Sequence, residues 1–262
     1  MAIEAALRNA IENDELWIAY QPQICLSSKK LKGVEALLRW TNGSLNHPSP
    51  DEFIPIAEAT GLIIPIGEWV LKESLRQIKK WLDLGGEPFT VAVNVSARQF
   101  WDKNFSDFIQ TTLFEIDVPA KFLELELTER VVMRDPEAVI EIMKSLKSLG
   151  VQVSIDDFGT GYSSLNYLRR LPVNKLKIDQ SFIRDIENDE DDEIIVVSIV
   201  QLAKALKKET IAEGVENITQ EVFLRNIGCD TIQGFLYAHP MSVVVFNDWL
   251  RNASTKTLST KF

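Results

Sequence analysis

The stretch VQVSIDDFGTGYSS, residues 151–164, is the one on which the fold turns. Val151, Val153 and Ile155 alternate with polar neighbours, which predicts a short strand over residues 151–156 with one apolar face. The strand runs into Asp156 and Asp157, and Gly159 and Gly161 then allow a sharp turn. Two adjacent carboxylates at a strand end repel each other, and a hard divalent cation such as Mg²⁺ relieves that repulsion because it prefers carboxylate oxygens. For the pair taken alone, a turn in which one Asp caps the backbone and the other is solvated explains the residues equally well. A dinucleotide-binding loop explains them less well. The G-x-G-x-x-G spacing breaks at Ser164, and two carboxylates would repel a pyrophosphate.

Outward from this stretch, strand and helix patterns alternate. Residues 17–26 and 31–40 read as strands joined by residues 27–30, a connection too short for a crossover helix, so the pair is expected to be antiparallel. Further strands are expected at 90–95, 123–128, 175–178, 210–212 and 231–233. Helical stripes separate them, such as Leu71, Leu75, Ile78 and Leu82, stopped by Gly85 and Gly86, or Val139, Met143 and Leu146. Asp51 is placed to cap a short helix that ends near Gly61. The acidic run at 185–193, DIENDEDDE, reads as a solvated helix start rather than a metal site, since negative charge favours a helix N-terminus. With the hairpin there are eight strands, which predicts an α/β fold: a modified TIM (β/α)8 barrel with an antiparallel first strand. No low-complexity linker divides the chain, so residues 1–252 are read as one domain, followed by a frayed tail over 253–262.

Composition narrows the chemistry. A net charge of -10 over 262 residues argues against a surface for a nucleic-acid polymer. No apolar run is long enough to span a bilayer and the N-terminus lacks a signal peptide's apolar core, so a cytoplasmic protein is expected. Cys25 and Cys229 are the only cysteines, which fits a reducing compartment without a disulfide framework. His47 and His239 are the only histidines, so any metal is expected to be held by oxygen.

In a barrel of this kind the C-terminal strand ends share one face, and that face carries the chemistry. Glu35, Asn94, Glu126, Asp156, Asp157, Lys177, Glu213 and Gln233 lie at or near those ends. Each has a bland reading alone: Asn94 as a turn residue, Lys177 as a surface lysine, Gln233 as an amide capping a loop. Five carboxylates and a lysine converging on one mouth are harder to dismiss. Such a site needs metals for stability, two more readily than one. Two ions roughly 3.5–4 Å apart suit phosphodiester hydrolysis, since they activate water and steady the attacking and leaving oxygens. A nearby lysine would orient the nucleophile or neutralise phosphoryl charge.

GVEALLRW (33–40) resembles the signature of the EAL-domain family of cyclic di-GMP phosphodiesterases. The likeness continues through YQPQ (20–23), FIPIAEATGLI (53–63), NVSARQF (94–100), ELTE (126–129), DDFGTGYSSLNYL (156–168), LKID (176–179), AEGVE (212–216) and QGF (233–235). Motifs in this order over roughly residues 5–250 are far more specific than any one of them. The resemblance implies hydrolysis of cyclic di-GMP to linear 5'-pGpG with Mg²⁺ or Mn²⁺, and Ca²⁺ is expected to inhibit because its larger, looser coordination would misplace the water. It implies Glu35, Asn94, Glu126, Asp156, Asp157 and Glu213 as metal ligands, with Glu35, Lys177 and Glu213 in the catalytic set. Lys177 would hold the attacking water, and whether Lys177 or Glu213 handles the proton stays open. Gln21, Leu37, Arg39, Asn94, Asp179 and Gln233 match substrate-contacting positions, and Glu129 matches the anchor of the 157–164 loop. A homodimer is implied, with sensory or cyclase regions outside this chain. Cys25 and Asn174 stand where the family usually has Asp, and His239 lies in a variable stretch; none of these removes an expected ligand. A receptor that binds cyclic di-GMP without hydrolysis is the alternative, but such members typically lose acidic ligands, and this chain has lost none.

Overall fold

A computed structural model describes residues 2–85, 89–161, 165–187 and 189–254. Among these residues nine strands form one sheet: β1 (Leu16–Cys25), β2 (Leu31–Trp40), β3 (Thr90–Asn94), β4 (Leu123–Thr128), β5 (Gln152–Phe158), β6 (Lys175–Ile178), β7 (Glu209–Ala212), β8 (Thr231–Gln233) and β9 (Met241–Ser242). β2 to β8 are parallel neighbours in sequence order, and β1 pairs antiparallel with both β2 and β8, closing an eight-stranded barrel. The expected α/β barrel with an antiparallel first strand is therefore what forms. Closure gives each of the eight strands a partner on both sides.

The count of eight omits β9. β8 is only three residues long and covers Gln23 to Cys25 of the ten-residue β1, which leaves Ala19 and Tyr20 to pair with β9. β8 stops at Gly234, where a Cβ would lie 2.1 Å from the Val215 carbonyl oxygen. Only glycine lets the chain pass there, and Val215 braces both sides by donating to Gln233 O and accepting from Leu236 N.

The β1–β2 hairpin supplies no crossover helix, so other elements must cover the outer face of β1. The helices Ile63–Asp83 and Val243–Ser254 do this through aromatic contacts. Trp81 meets Tyr20 edge-on at 5.0 Å between ring centroids, and Phe246 packs on both at 5.3 and 6.0 Å. Burial pushes the Tyr20 hydroxyl pKa up, as expected for a ring sealed in this cluster.

Two local expectations need correction, the cap of one helix and the start of the tail. The cap of the helix Pro50–Thr60 is Ser49, not Asp51: Pro50 already occupies the first helical position, and the Glu52 carboxylate accepts from Ser49 N–H at 2.7 Å. The helix Ile63–Asp83 stops where expected, two residues before Gly85, which takes φ +71, while Gly86 lies outside the described residues. The last helix reaches Ser254, two residues into the stretch read as tail, and 255–262 lie outside the described residues. The acidic run behaves as expected: Asp189 caps Glu190–Ala205 by accepting from Asp191 N and Asp192 N. Among the described residues no helix is long and apolar enough to cross a membrane.

Candidate active site

Strand alternation aims every second side chain into the barrel, and alternate strands contribute to each interior level. Glu35 on β2, Glu126 on β4, Lys177 on β6 and Gln233 on β8 meet there. Lys177 is fully buried, and its Nζ lies 2.7 Å from Glu126 Oε2, 3.8 Å from Glu35 Oε2 and 2.7 Å from Glu213 Oε1. Gln233 Nε2 donates to Glu35 Oε2 at 2.5 Å and to Gln21 Oε1 at 3.0 Å. The odd-numbered strands bring Asn94, whose Nδ2 donates to Glu35 Oε1 at 2.6 Å, and Asp156, whose Oδ1 is 3.1 Å from Lys177 Nζ. Lys177 is thus no surface lysine; it is the hub of four carboxylates.

The pair Asp156-Asp157 sits inside β5 rather than at its end, because the strand runs on to Phe158. In a regular strand two consecutive side chains would face opposite sides of the sheet. The β5–β6 register slips between Ile155 and Phe158, and Asp157 adopts φ +54, a left-handed conformation that Asp tolerates better than most residues. This bulge turns both carboxylates towards the mouth. Asp156, Asp157 and Glu213 each offer an oxygen within 4.8 Å of the others.

Electrostatics follow from that crowding. Burial pushes Glu213 up to about 8, and although Lys177 pulls it down, the charges of Asp156 and Glu35 add to the rise. Burial and the neighbouring Asp156 and Asp179 charges push Asp157 up to about 6. Glu126 is driven well above the carboxylate range by burial and by Glu35, Asp156 and Glu124. Glu35 goes the other way: burial opposes its charge, but Lys177 and the donors Gln233 and Asn94 outweigh it. For Lys177, burial is overcome by Asp156, Glu126, Glu213 and Glu35, so it stays charged. The donor set suits a divalent cation. It is all oxygen, it carries mutual repulsion that a cation would relieve, and Glu126 Oε1 is buried with no partner among the described residues.

The remaining expected residues divide. Leu37 and Arg39 lie on the same face of β2 as Glu35, and the Arg39 guanidinium donates to Leu38 O at 2.9 Å. Gln21 donates to Ala238 O at 3.2 Å. Asp179 caps the helix Gln180–Arg184 by accepting from Ser181 N–H at 2.9 Å. Glu129, 1% exposed, accepts from Gly159 N–H at 3.1 Å, and a Cβ on Gly161 would lie 2.8 Å from its Oε1, so the start of the 157–164 loop rests on it. Tyr162, Ser163 and Ser164 lie outside the described residues. Gln23 was missed. It donates to Gln233 Oε1 at 3.0 Å and holds that amide's orientation, and its place two residues after Gln21 in YQPQ was the available signal.

Comparison with known proteins gives this geometry a family. The family model described as EAL domain matches residues 4–240. The bifunctional diguanylate cyclase/cyclic di-GMP phosphodiesterase MucR of Pseudomonas aeruginosa is 46% identical over 235 residues, 90% of this chain and 34% of that protein. The cyclic di-GMP phosphodiesterase PdeR of Escherichia coli is 40% identical over 249 residues, 95% of this chain and 37% of that protein. The chain therefore spans about a third of the length of these curated relatives. A solved structure titled PaMucR Phosphodiesterase, c-di-GMP complex superposes with a TM-score of 0.92 at 44% identity, covering 94% of this chain and all of that one. With its barrel, its ordered motifs and these matches, the chain belongs to the EAL domain family.

Proposed function

We propose that this chain is a metal-dependent phosphodiesterase that hydrolyses cyclic di-GMP to linear 5'-pGpG. The observation that carries the reading is the buried Lys177 ammonium within 3.1 Å of Glu126, Asp156 and Glu213, beside the Asp156, Asp157 and Glu213 cluster. The similarity to proteins named as cyclic di-GMP phosphodiesterases supports the substrate.

Glu35, Asn94, Glu126, Asp156, Asp157 and Glu213 would hold two Mg²⁺ or Mn²⁺ ions. When bound, such ions lower the pKa of a coordinated water and neutralise charge on the phosphoryl oxygens. The residues of the chain do the rest. Lys177 keeps its proton and can donate to the attacking water while that water's lone pair points at phosphorus. Asn94 and Gln233 fix both oxygens of Glu35, so the carboxylate does not swing as charge develops. Glu213, already shared with Lys177, is placed to take or return a proton. Arg39 offers a planar fork for phosphate, and Gln21, Leu37, Asp179 and Gln233 would complete the dinucleotide site. In this reading residues 1–252 form one domain that works in the cytoplasm as a homodimer, with regulatory input from regions outside this chain.

The test is chromatography of cyclic di-GMP incubated with the protein in Mg²⁺, in Mn²⁺ and in excess chelator. Metal-dependent pGpG is expected, and tight binding without product would make the chain a receptor. Ca²⁺ is expected to support less than a tenth of the Mg²⁺ rate, because its larger, looser shell misplaces the water, about 1.4 kcal/mol per factor of ten. Equal turnover in the two ions refutes that prediction.

Metal binding is also expected to depend on pH. Glu213, with its pKa near 8, is mostly protonated at neutral pH in the metal-free protein and must lose that proton to bind a cation. Asp157, near 6, adds to the effect at lower pH. Mn²⁺ affinity should therefore rise as pH is raised from 6 to 8, with proton release near neutrality. Calorimetry in buffers of different ionisation enthalpy reads both, and a pH-independent affinity would count against these two ligands.

A further inference from the structure

Beneath the acidic site the barrel repeats its own pattern one pleat down. Glu124 precedes Glu126 by two residues on β4, and Lys175 precedes Lys177 by two on β6, so the lower pair faces the interior as the upper pair does. Lys175 Nζ meets Glu124 Oε2 at 2.5 Å, with both side chains at least 96% buried. β5 lies between β4 and β6, so this contact passes over its inner face. Ser154 sits there, paired across the backbone with Glu126 on one side and Lys175 on the other.

Three buried polar atoms on β3, β4 and β5 have no protein partner among the described residues: Thr90 Oγ1, Glu124 Oε1 and Ser154 Oγ. They lie on three consecutive strands of one barrel wall. The interior positions there are small or polar, with Gly33, Ala92 and Ser154 where such barrels commonly pack bulky branched residues. A charged oxygen buried without a donor is costly, and buried groups of this kind are normally satisfied by ordered water making about three hydrogen bonds.

We propose that an ordered water bound at Glu124 Oε1 and Ser154 Oγ completes a second polar level of the barrel, and that this level holds Glu126 in place for the metal. The water donates to the Glu124 carboxylate and exchanges a hydrogen bond with the Ser154 hydroxyl. Glu124, Lys175 and Ser154 are then positioning residues. They touch neither metal nor substrate, but they fix the strand segment from which Glu126 projects. This rests on the metal-binding reading above, so the experiment separates the two.

The measurement is Mn²⁺ affinity by calorimetry, without substrate, for the parent protein, Ser154→Val and the double variant Glu124→Leu/Lys175→Met. The valine takes the water's space, and the double variant replaces the ion pair with apolar groups, a change that often leaves stability equal or higher. Both are expected to keep the parent's circular dichroism and to bind Mn²⁺ about tenfold or more weakly, the usual loss when outer-shell support of a metal ligand is removed. If Ser154→Val does not fold, Ser154→Ala replaces it, with a smaller loss expected. A high-resolution crystal structure of the parent should place a water within hydrogen-bond distance of both atoms. A folded variant with the parent's Mn²⁺ affinity, or clear density without that water, overturns the inference. Failure of the parent itself to bind Mn²⁺ would instead overturn the metal-binding reading.

Discussion

Glu35→Gln is expected to lower cyclic di-GMP turnover by at least about a thousandfold, roughly 4 kcal/mol of lost transition-state stabilisation. The substitution is nearly isosteric, so its effect comes from charge and hydrogen-bond polarity. Both Glu35 oxygens accept, one from Asn94 and one from Gln233. A glutamine can accept at only one position, so its own amide must face a second amide donor. The side chain would be displaced, and it could no longer offer an anionic oxygen to a cation. Arg39 keeps its bond to Leu38 O and Gln21 is reached only through Gln233, so the loss should fall on kcat more than on KM. Circular dichroism checks the fold, and chromatography at saturating Mn²⁺ measures the rate. Turnover within tenfold of the parent would remove Glu35 from the site.

Why Glu35 was legible in the sequence, and other features were not, follows from what each depends on. The strand pattern determines which face a side chain takes, and that placed Glu35, Glu126 and Lys177 together once the barrel was assumed. Family resemblance then supplies expected roles that periodicity alone does not. Geometry that depends on register stayed hidden. Nothing in the local pattern of Asp156-Asp157 announces a bulge, since it arises where β5 has to pair with a β6 that offers one position fewer. β9 was missed because a two-residue strand has no period to detect, and it exists only because β8 ends early against Val215. The residue pattern places that cap two residues too late, because Asp51 is as good a cap as Ser49 by residue type and only the position of Pro50 decides. The lower Glu124–Lys175 pair was visible as a doublet in LELELT and KLKID, yet side chains two apart in a strand give no sign of which strand they meet.

Lys177→Met is expected to have two separable consequences. In chelator, the fully buried methionine would leave Glu35 and Asp156 without the ammonium beside them, while Glu126 and Glu213, already pushed up by burial, would lose the charge that pulls them down. Removing one partner from a buried ionic cluster costs about 3–5 kcal/mol, because the remaining charges are stranded out of water. In a chain of this size that lowers Tm by roughly 6–20 °C. Mn²⁺ should recover part of the loss, since a ligand that binds only the folded state at a hundred times its Kd contributes about 2.7 kcal/mol. Activity should not return with it. The ion replaces the lysine's charge but not its N–H donors, so the water stays poorly aimed and turnover remains at least about a hundredfold down, close to 2.7 kcal/mol. Melting curves with and without Mn²⁺, set beside rates at the same metal concentration, read the two effects independently. A variant that is rescued in Tm and also in rate would show Lys177 to be a structural counter-charge alone, and the nucleophile would then have to be oriented by Glu213 or by the metal ligands.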